Sequence, residues 1–274
     1  MHWLVFTDLD GTLLDSKTYS FTEAEDAISF MKEKGIPLIP CTSKTHEEVV
    51  VLREKIGIND PFISENGSAI FIEKSYFSDS IPSLEEKNGF GMVVLGKRYG
   101  EVIDFLAELK ENFALSARGF HEMEVKEIVG LTGLTPKESA LAKQRSFSEP
   151  FILLEDEQQK LAELLPIIEK RGFRLLRGNR FYHLLGQSDK GVALRYLKNL
   201  FEKYGTGKIY KTVAVGDSLN DLEMLKAADI PILVKKADGR YQQDIDLPNL
   251  IYSEDIGPRG FAQSVLSIIK EEKT

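Results

Sequence analysis

Cysteine is nearly absent from this chain of 274 residues, where Cys41 is the one thiol. A single cysteine excludes an internal disulfide framework and a cysteine-rich zinc site. Histidine is scarce too: the chain has 4, and no two stand at metal-ligand spacing, so an imidazole-held metal is not expected. No apolar run approaches the roughly 20 residues that span a bilayer. The apolar start Trp3-Leu4-Val5-Phe6 meets Asp8 and Asp10 too early for a signal peptide, which points to a cytoplasmic chain without membrane contact. Positive charge is in deficit, since 35 Lys+Arg against 43 Asp+Glu leave a net charge of −8. Such a balance argues against a nucleic-acid partner. What is present is ordinary globular material, 42% hydrophobic and 28% charged, long enough for one large or two ordinary domains.

Hydrophobic periodicity orders that material. Trp3 to Thr7 is a short apolar run suited to a buried strand. Thr22-Glu23-Ala24-Glu25 has capping-box spacing, and Ala24, Ala27, Ile28 and Met31 then follow the helical i, i+3, i+4, i+7 pattern up to Gly35. Ile36–Cys41 reads as a strand, Thr45–Ile56 as a helix closed by Gly57, and Pro61–Ser64 as a strand. The alternation resumes with a helix at Lys190–Tyr204, a strand at Thr212–Val215, a helix at Leu219–Ala228, a strand at Ile230–Val234 and a closing helix at Gly260–Lys270. Between the halves the rhythm changes. Strands are expected at Phe90–Leu95, Pro150–Leu154, Arg174–Leu176 and Phe181–Leu185, with helices at Gly100–Asn112, Val125–Leu131, Lys137–Arg145 and Glu157–Arg171. The fold class that follows is α/β: a doubly wound, Rossmann-like parallel sheet built from residues 1–83 and 187–274, with an α+β cap domain inserted at 84–186.

The chemistry-bearing residues gather where the strands end. Asp8-Leu9-Asp10-Gly11-Thr12 directly follows the first strand, and residues two apart on an extended segment point the same way. In a doubly wound sheet that carboxyl edge is where ligands bind. Two adjacent carboxylates repel unless a cation or a shared proton offsets them, so the pair implies a metal. Taken alone, it also suits a plain turn. The second strand ends in Cys41-Thr42-Ser43-Lys44, Lys190 opens a helix after Gln187-Ser188-Asp189, and the strand to Val215 runs into Gly216-Asp217-Ser218-Leu219-Asn220-Asp221. Carboxylates, hydroxyls and an ammonium at successive strand ends make one site.

This constellation resembles the haloacid dehalogenase superfamily, whose four motifs it carries in order. The resemblance implies phosphoryl transfer through an aspartyl-phosphate with Mg²⁺ as cofactor. Asp8 is then the nucleophile, and Asp10 the general acid for the leaving oxygen and the base for water. Thr42 would hydrogen-bond the phosphoryl group and Lys190 neutralise it; Asp8, the Asp10 backbone carbonyl, Asp217 and Asp221 would hold the metal. Each role has physical sense, because a phosphoryl group in flight spreads charge that cations and oriented donors stabilise. Asp at position 10 separates phosphatases and mutases from the related transport ATPases and dehalogenases.

Within the cap, Ala142-Lys143-Gln144-Arg145-Ser146-Phe147-Ser148-Glu149-Pro150 and Gly178-Asn179-Arg180-Phe181-Tyr182-His183 resemble the mannosyl-3-phosphoglycerate phosphatases. Ser43-Lys44-Thr45, Ser64-Glu65-Asn66-Gly67, Thr132-Gly133-Leu134 and Gly257-Pro258-Arg259-Gly260 are similar as well, whereas Asn179 departs from a Gly-Gly-Arg turn. The resemblance implies hydrolysis of 2-O-mannosyl-3-phosphoglycerate to mannosylglycerate and phosphate, the last step in making a compatible solute. Glucosyl-3-phosphoglycerate, another sugar phosphate and a phosphomutase reaction stand as alternatives. The substrate-binding set is Ser43, Lys44, Glu65, Asn66, Arg145, Ser148, Glu149, Gly178, Asn179, Arg180 and His183. Arg145 and Arg180 are expected to grip the carboxylate, and the polar side chains to read hydroxyls.

Overall fold

A computed structural model describes residues 2–77, 81, 84–178, 180–205 and 208–271. Its centre is a five-stranded sheet in the order Ile251–Ile256, Ile230–Lys235, Tyr210–Gly216, His2–Thr7 and Leu38–Pro40. Every pairing in it is parallel. Side chains alternate across a strand, and the first strand shows how this builds two cores. Trp3 and Val5 face the helices Glu25–Glu33 and Gly257–Glu271, through Ala27, Ile28, Met31, Phe261 and Val265. Leu4 and Phe6 face the opposite way, onto Leu194, Leu197 and Phe201 of the helix Lys190–Tyr204. Helices on both faces of a parallel sheet make the chain doubly wound, as the sequence leads one to expect.

A bridge from Cys41 to Ile63 passes the chain into a second, antiparallel sheet in the order Phe62–Ser64, Ala69–Glu73, Phe90–Val94, Glu85–Lys87. The expected cut at residue 84 therefore runs through a sheet. Glu85–Lys87 and Phe90–Val94 pair with one another, and the latter with Ala69–Glu73, because Phe71, Phe90 and Met92 bury against Val49 and Phe62.

A third sheet, also antiparallel, has the order Ala117–Gly119, Ser148–Leu153, Tyr182–Gly186, Phe173–Arg177. One face, with Phe151 and Leu184, packs on Phe105, Leu109, Leu164 and Ile168 of the helices Tyr99–Asn112 and Gln158–Lys170. On the other face His183 lies opposite both Pro150 and Leu176, and these three look into a cleft above the central sheet.

Local differences from the sequence reading have physical causes. Thr22 makes no cap bond; a 3₁₀ turn over Thr22–Ala24 moves the helix start to Glu25. Reciprocal boxes form instead at Thr45 and Glu48, whose helix runs His46–Ile56, and at Thr135 and Glu138. Ile251–Ile256 was not expected as a strand: it is an edge with only Ser253 fully buried, so it lacks a strand's apolar signature.

Candidate active site

The first strand delivers Asp8 to the carboxyl edge, where its N–H donates to the Val215 carbonyl at 2.8 Å. The chain then turns tightly: the N–H groups of Leu14 (2.8 Å) and Thr12 (3.2 Å) both donate to the Leu9 carbonyl. Gly11 sits at φ 89°, and a Cβ there would lie 2.8 Å from Asp217 Oδ2. Only glycine combines that left-handed backbone with so close an approach, so the turn and the Asp217 loop are fitted to each other.

Lys190, fully buried at the first position of its helix, donates from Nζ to Asp8 Oδ1 at 2.6 Å and to Asp221 Oδ1 at 2.7 Å. Burial disfavours its ammonium, but Asp221 and Asp8 more than offset this and hold its pKa above the ordinary lysine value. Asp221 spends its other oxygen on the backbone: Oδ2 accepts from the N–H groups of Asp217 (3.0 Å) and Ser218 (3.1 Å). It therefore shapes the loop that presents Asp217. Burial pushes the Asp8 carboxyl well above its usual range; Lys190 opposes this, while Asp221, Asp217 and Asp10 add to it. Burial and Asp221 push Asp217 up to about 6.

Asp8, Asp217 and Asp221 each offer a carboxylate oxygen, all within 4.8 Å of one another, the one such group of three among the described residues. Three buried carboxylates against one ammonium leave negative charge for which raised carboxyl pKa values are the proton-based remedy. A divalent cation is the other remedy, and hard oxygen donors suit it. The residues fit a cation. Asp8 and Asp217 are its natural holders, because Asp221 already commits both oxygens to Lys190 and the backbone.

Above this floor lies a cleft of about 250 Å³. Of the residues expected from sequence, it brings together Asp8, Asp10, Ser43, Lys44, Asn66, Arg145, Gly178, Arg180, His183 and Asp217. Lys44 meets Asp10 Oδ2 at 2.9 Å and Glu48 Oε1 at 3.8 Å. Burial works against its charge, yet those two carboxylates keep its pKa above ordinary. His183 is pulled down to about 3 by burial, with Arg145 and Lys190 adding to the shift, so the neutral imidazole suits a hydroxyl rather than an anion. Arg145 commits Nε to the Ser148 carbonyl at 3.3 Å, and Nη2 to the Ser43 carbonyl at 3.0 Å and Ser148 Oγ at 2.6 Å. Among the described residues Nη1 has no protein partner and can serve a ligand, a narrower grip than the two-nitrogen fork expected from sequence. Arg180 is exposed and donates from Nη1 to the carbonyls of Leu131 and Thr132.

Other expected residues are not among the lining. Thr42 is buried beneath the cleft, its Oγ1 accepting from the Lys44 N–H at 3.2 Å. Lys190 and Asp221 form the layer below Asp8. Glu65 and Ser148 bond to each other, and Glu149 accepts from the Tyr99 hydroxyl at 2.6 Å and from His121 Nδ1 at 2.7 Å. Asn179 lies outside the described residues. The cleft also exposes residues that sequence reasoning missed: Ser16, Tyr19, Glu48, Phe120, Phe181 and Asn220. Asn220 had a signal, since it stands within the acidic motif, and its Nδ2 donates to Asn66 Oδ1 at 3.2 Å. Tyr19 had none; its backbone is left-handed at φ 56° and its ring lies 5.2 Å from Lys44 Nζ.

A doubly wound sheet with an acidic, lysine-braced cleft at its carboxyl edge, roofed by an inserted module, defines the class of fold and site. The chain belongs to the haloacid dehalogenase-like hydrolase family, which it matches over residues 5–247. It is 42% identical over 269 residues to a glucosyl-3-phosphoglycerate/mannosyl-3-phosphoglycerate phosphatase of Persephonella marina, covering 98% of this chain and 97% of that one. A protein of the same name from Methanococcoides burtonii is 39% identical over 98% of each chain. Among solved structures, a haloacid dehalogenase-like hydrolase from Bacteroides thetaiotaomicron shares the fold, with a TM-score of 0.66 at 21% identity over 98% of this chain and 100% of that one. No helix among the described residues is long and apolar enough to cross a membrane.

Proposed function

We propose that this chain is a phosphoric monoester hydrolase that releases phosphate from glucosyl-3-phosphoglycerate and mannosyl-3-phosphoglycerate. One observation carries the reading: near-full-length identity of 42% to a phosphatase named for both sugars, in a chain whose Asp8, Lys190 and Asp217 form one acidic site. The sequence favoured the mannosyl substrate; the relatives' names cover both, and so does the proposal.

Lys190 on Asp8 Oδ1 leaves the second carboxylate oxygen to attack phosphorus, breaking the ester bond to glycerate O3. Asp10 stands two residues on, in the same cleft; entering the step as the neutral acid, it gives its proton to that leaving oxygen and becomes the carboxylate that Lys44 holds. Water then attacks the phosphorus of the aspartyl-phosphate, Asp10 takes its proton, and Asp8 returns with release of phosphate. Thr42, directly beneath the cleft, supplies a hydroxyl donor for the phosphoryl oxygens, and Lys190 neutralises charge on Asp8. Asp8, Asp217 and the Asp10 backbone carbonyl would hold Mg²⁺, with Asp221 behind them. When bound, Mg²⁺ supplies Lewis-acid stabilisation of the transferring phosphoryl charge. The inserted region from Ala117 onward roofs the cleft, with Arg145, Arg180 and neutral His183 for the carboxylate and hydroxyls. The chain works in the cytoplasm in this reading.

Phosphate release over a panel of sugar phosphates tests this, with Asp8→Asn as the control. The two sugar-phosphoglycerates are expected to exceed hexose phosphates in kcat/KM, and Asp8→Asn to abolish turnover of all. A hexose phosphate as the best substrate would overturn the assignment.

A further inference from the structure

Glu65 is a buried carboxylate on a turn whose backbone is left-handed at three successive residues: Glu65 at φ 48°, Asn66 at 58° and Gly67 at 93°. Its Oε1 accepts from the Ser146 N–H at 2.9 Å. Its Oε2 accepts from the N–H groups of Phe147 at 3.1 Å and Ser148 at 2.8 Å, and from the Ser148 hydroxyl at 2.8 Å. Arg145 Nε stands 3.4 Å away as the counter-charge. One donor on Oε1 and three on Oε2 make four in all, about the number that an ionised carboxylate accepts. The side chain is buried and is not among the residues lining the cleft, so direct substrate contact, the role implied by resemblance, does not fit it.

What the four bonds do is fasten the inserted region to the core beside the stretch where the chain enters it, since the Ser146 carbonyl also accepts from the Tyr99 N–H at 2.9 Å and Ser146 Oγ from Lys87 Nζ at 2.8 Å. Phe147 is carried into the cluster of Val49, Phe62 and Phe71. Arg145 reaches across to the Ser43 carbonyl, and Thr45 Oγ1 donates to the Leu141 carbonyl at 3.1 Å on the same seam. The strand Ser148–Leu153 begins at this anchor and pairs Pro150 with His183, so the anchor sets the height of that sheet above Asp8 and Asp10. Next to Glu65, Asn66 bonds Asn220 of the acidic loop. One turn thus touches the roof on one side and the floor on the other.

We propose that Glu65 is a positioning residue that sets Arg145 and His183 against the reacting centre, and that substrate discrimination depends on it. The inference deepens the sugar-phosphoglycerate reading and rests on it for the identity of the substrate. Glu65→Gln keeps the shape but replaces one acceptor with an NH₂ group that faces N–H donors. Glu65→Asp keeps the charge and withdraws it by one methylene.

Two readouts test the proposal: backbone hydrogen exchange at Ser146–Ser148, and kcat/KM on both sugar-phosphoglycerates and on a small aryl phosphate. In Glu65→Gln, protection at those three amides is expected to fall at least tenfold while the strand Tyr210–Gly216 keeps its protection. The ratio of kcat/KM between sugar substrate and aryl phosphate is expected to fall at least tenfold, with Glu65→Asp between this variant and the unaltered protein. Unchanged protection, or equal losses on both kinds of substrate in a folded variant, would overturn it. If the unaltered protein turns over the aryl phosphate but neither sugar-phosphoglycerate, the substrate reading fails and the exchange result still decides the anchor. Should Glu65→Gln not fold, Ser148→Ala removes one of the four donors, and smaller shifts of the same sign are required of it.

Discussion

Replacing Lys190 with methionine removes one buried charge and little volume. Its ammonium donates to Asp8 Oδ1 at 2.6 Å and Asp221 Oδ1 at 2.7 Å, and the side chain has no exposed surface. Removing one partner of a buried pair typically costs about 3–5 kcal/mol, because the remaining charge is stranded without water. At about 2–4 °C per kcal/mol for a chain of roughly this size, the melting temperature should fall by about 6–20 °C. The sign of the pH dependence identifies the cause. Asp8 and Asp217 already have folded pKa values above their unfolded ones, and Lys190 lowers both. Without Lys190 they rise further. A carboxyl with a raised folded pKa destabilises the native state when ionised, and this penalty disappears as pH falls below the folded value. The deficit of Lys190→Met against the unaltered protein is thus largest at pH 8 and shrinks toward pH 5. Urea unfolding across that range, without added metal, measures it. Phosphate release should fall by about 10²–10³ at pH 7.5, as expected for losing a preorganised charge beside the reacting group. A stability deficit that stays constant from pH 8 to pH 5 would refute the electrostatic account and leave lost packing as the cause.

Asp10→Asn should lower turnover of the sugar-phosphoglycerates by about 10²–10⁴. Aryl phosphates, whose leaving groups need less protonation, should lose less in rapid-quench measurement of the phosphorylation step. Mg²⁺ and a proton compete at Asp217, whose pKa is about 6 without metal, so calorimetric affinity should weaken about tenfold from pH 7 to pH 5, with proton release visible as buffer-dependent heat. Arg180→Met, at an exposed position, should cut kcat/KM for sugar-phosphoglycerates about 10–150-fold, the worth of one charge-assisted contact, with unchanged melting temperature. Arg145→Met should lower both kcat/KM and melting temperature, since it also strips Glu65 of its counter-charge.

The parts of the molecule legible in the sequence are those whose signal is local. The strand His2–Thr7 and the motif that leaves it are contiguous, so one reading of residues 3–14 fixes both the element and the direction of Asp8 and Asp10. Lys190 and Asp217 are legible for the same reason, each standing directly at the end or start of a periodic segment. What was not legible depends on pairings remote in the chain. Glu65 finds its partners at Ser146–Ser148, some 80 residues on, and no local pattern separates such a carboxylate from one that faces a ligand. The pairing across residue 84 was hidden likewise: Phe90–Val94 has the composition of any buried strand, and its partner Ala69–Glu73 is chosen by packing. Tyr19 and Phe120 enter the cleft from turns with no periodicity.

The charge arrangement explains why one molecule needs two layers for one reaction. The floor holds Asp8, Asp217 and Asp221 around a single buried ammonium, and Lys44 is already matched by Asp10 and Glu48. A phosphate ester that also bears a carboxylate would be repelled by that floor without a cation between them. A cation held at Asp8 and Asp217 would offset the phosphate end only. Positive charge for the distant carboxylate has to come from above, and the roof contributes Arg145 and Arg180. Chemistry and recognition therefore fall on different layers for an electrostatic reason, and the Glu65 anchor matters because it fixes the distance between them.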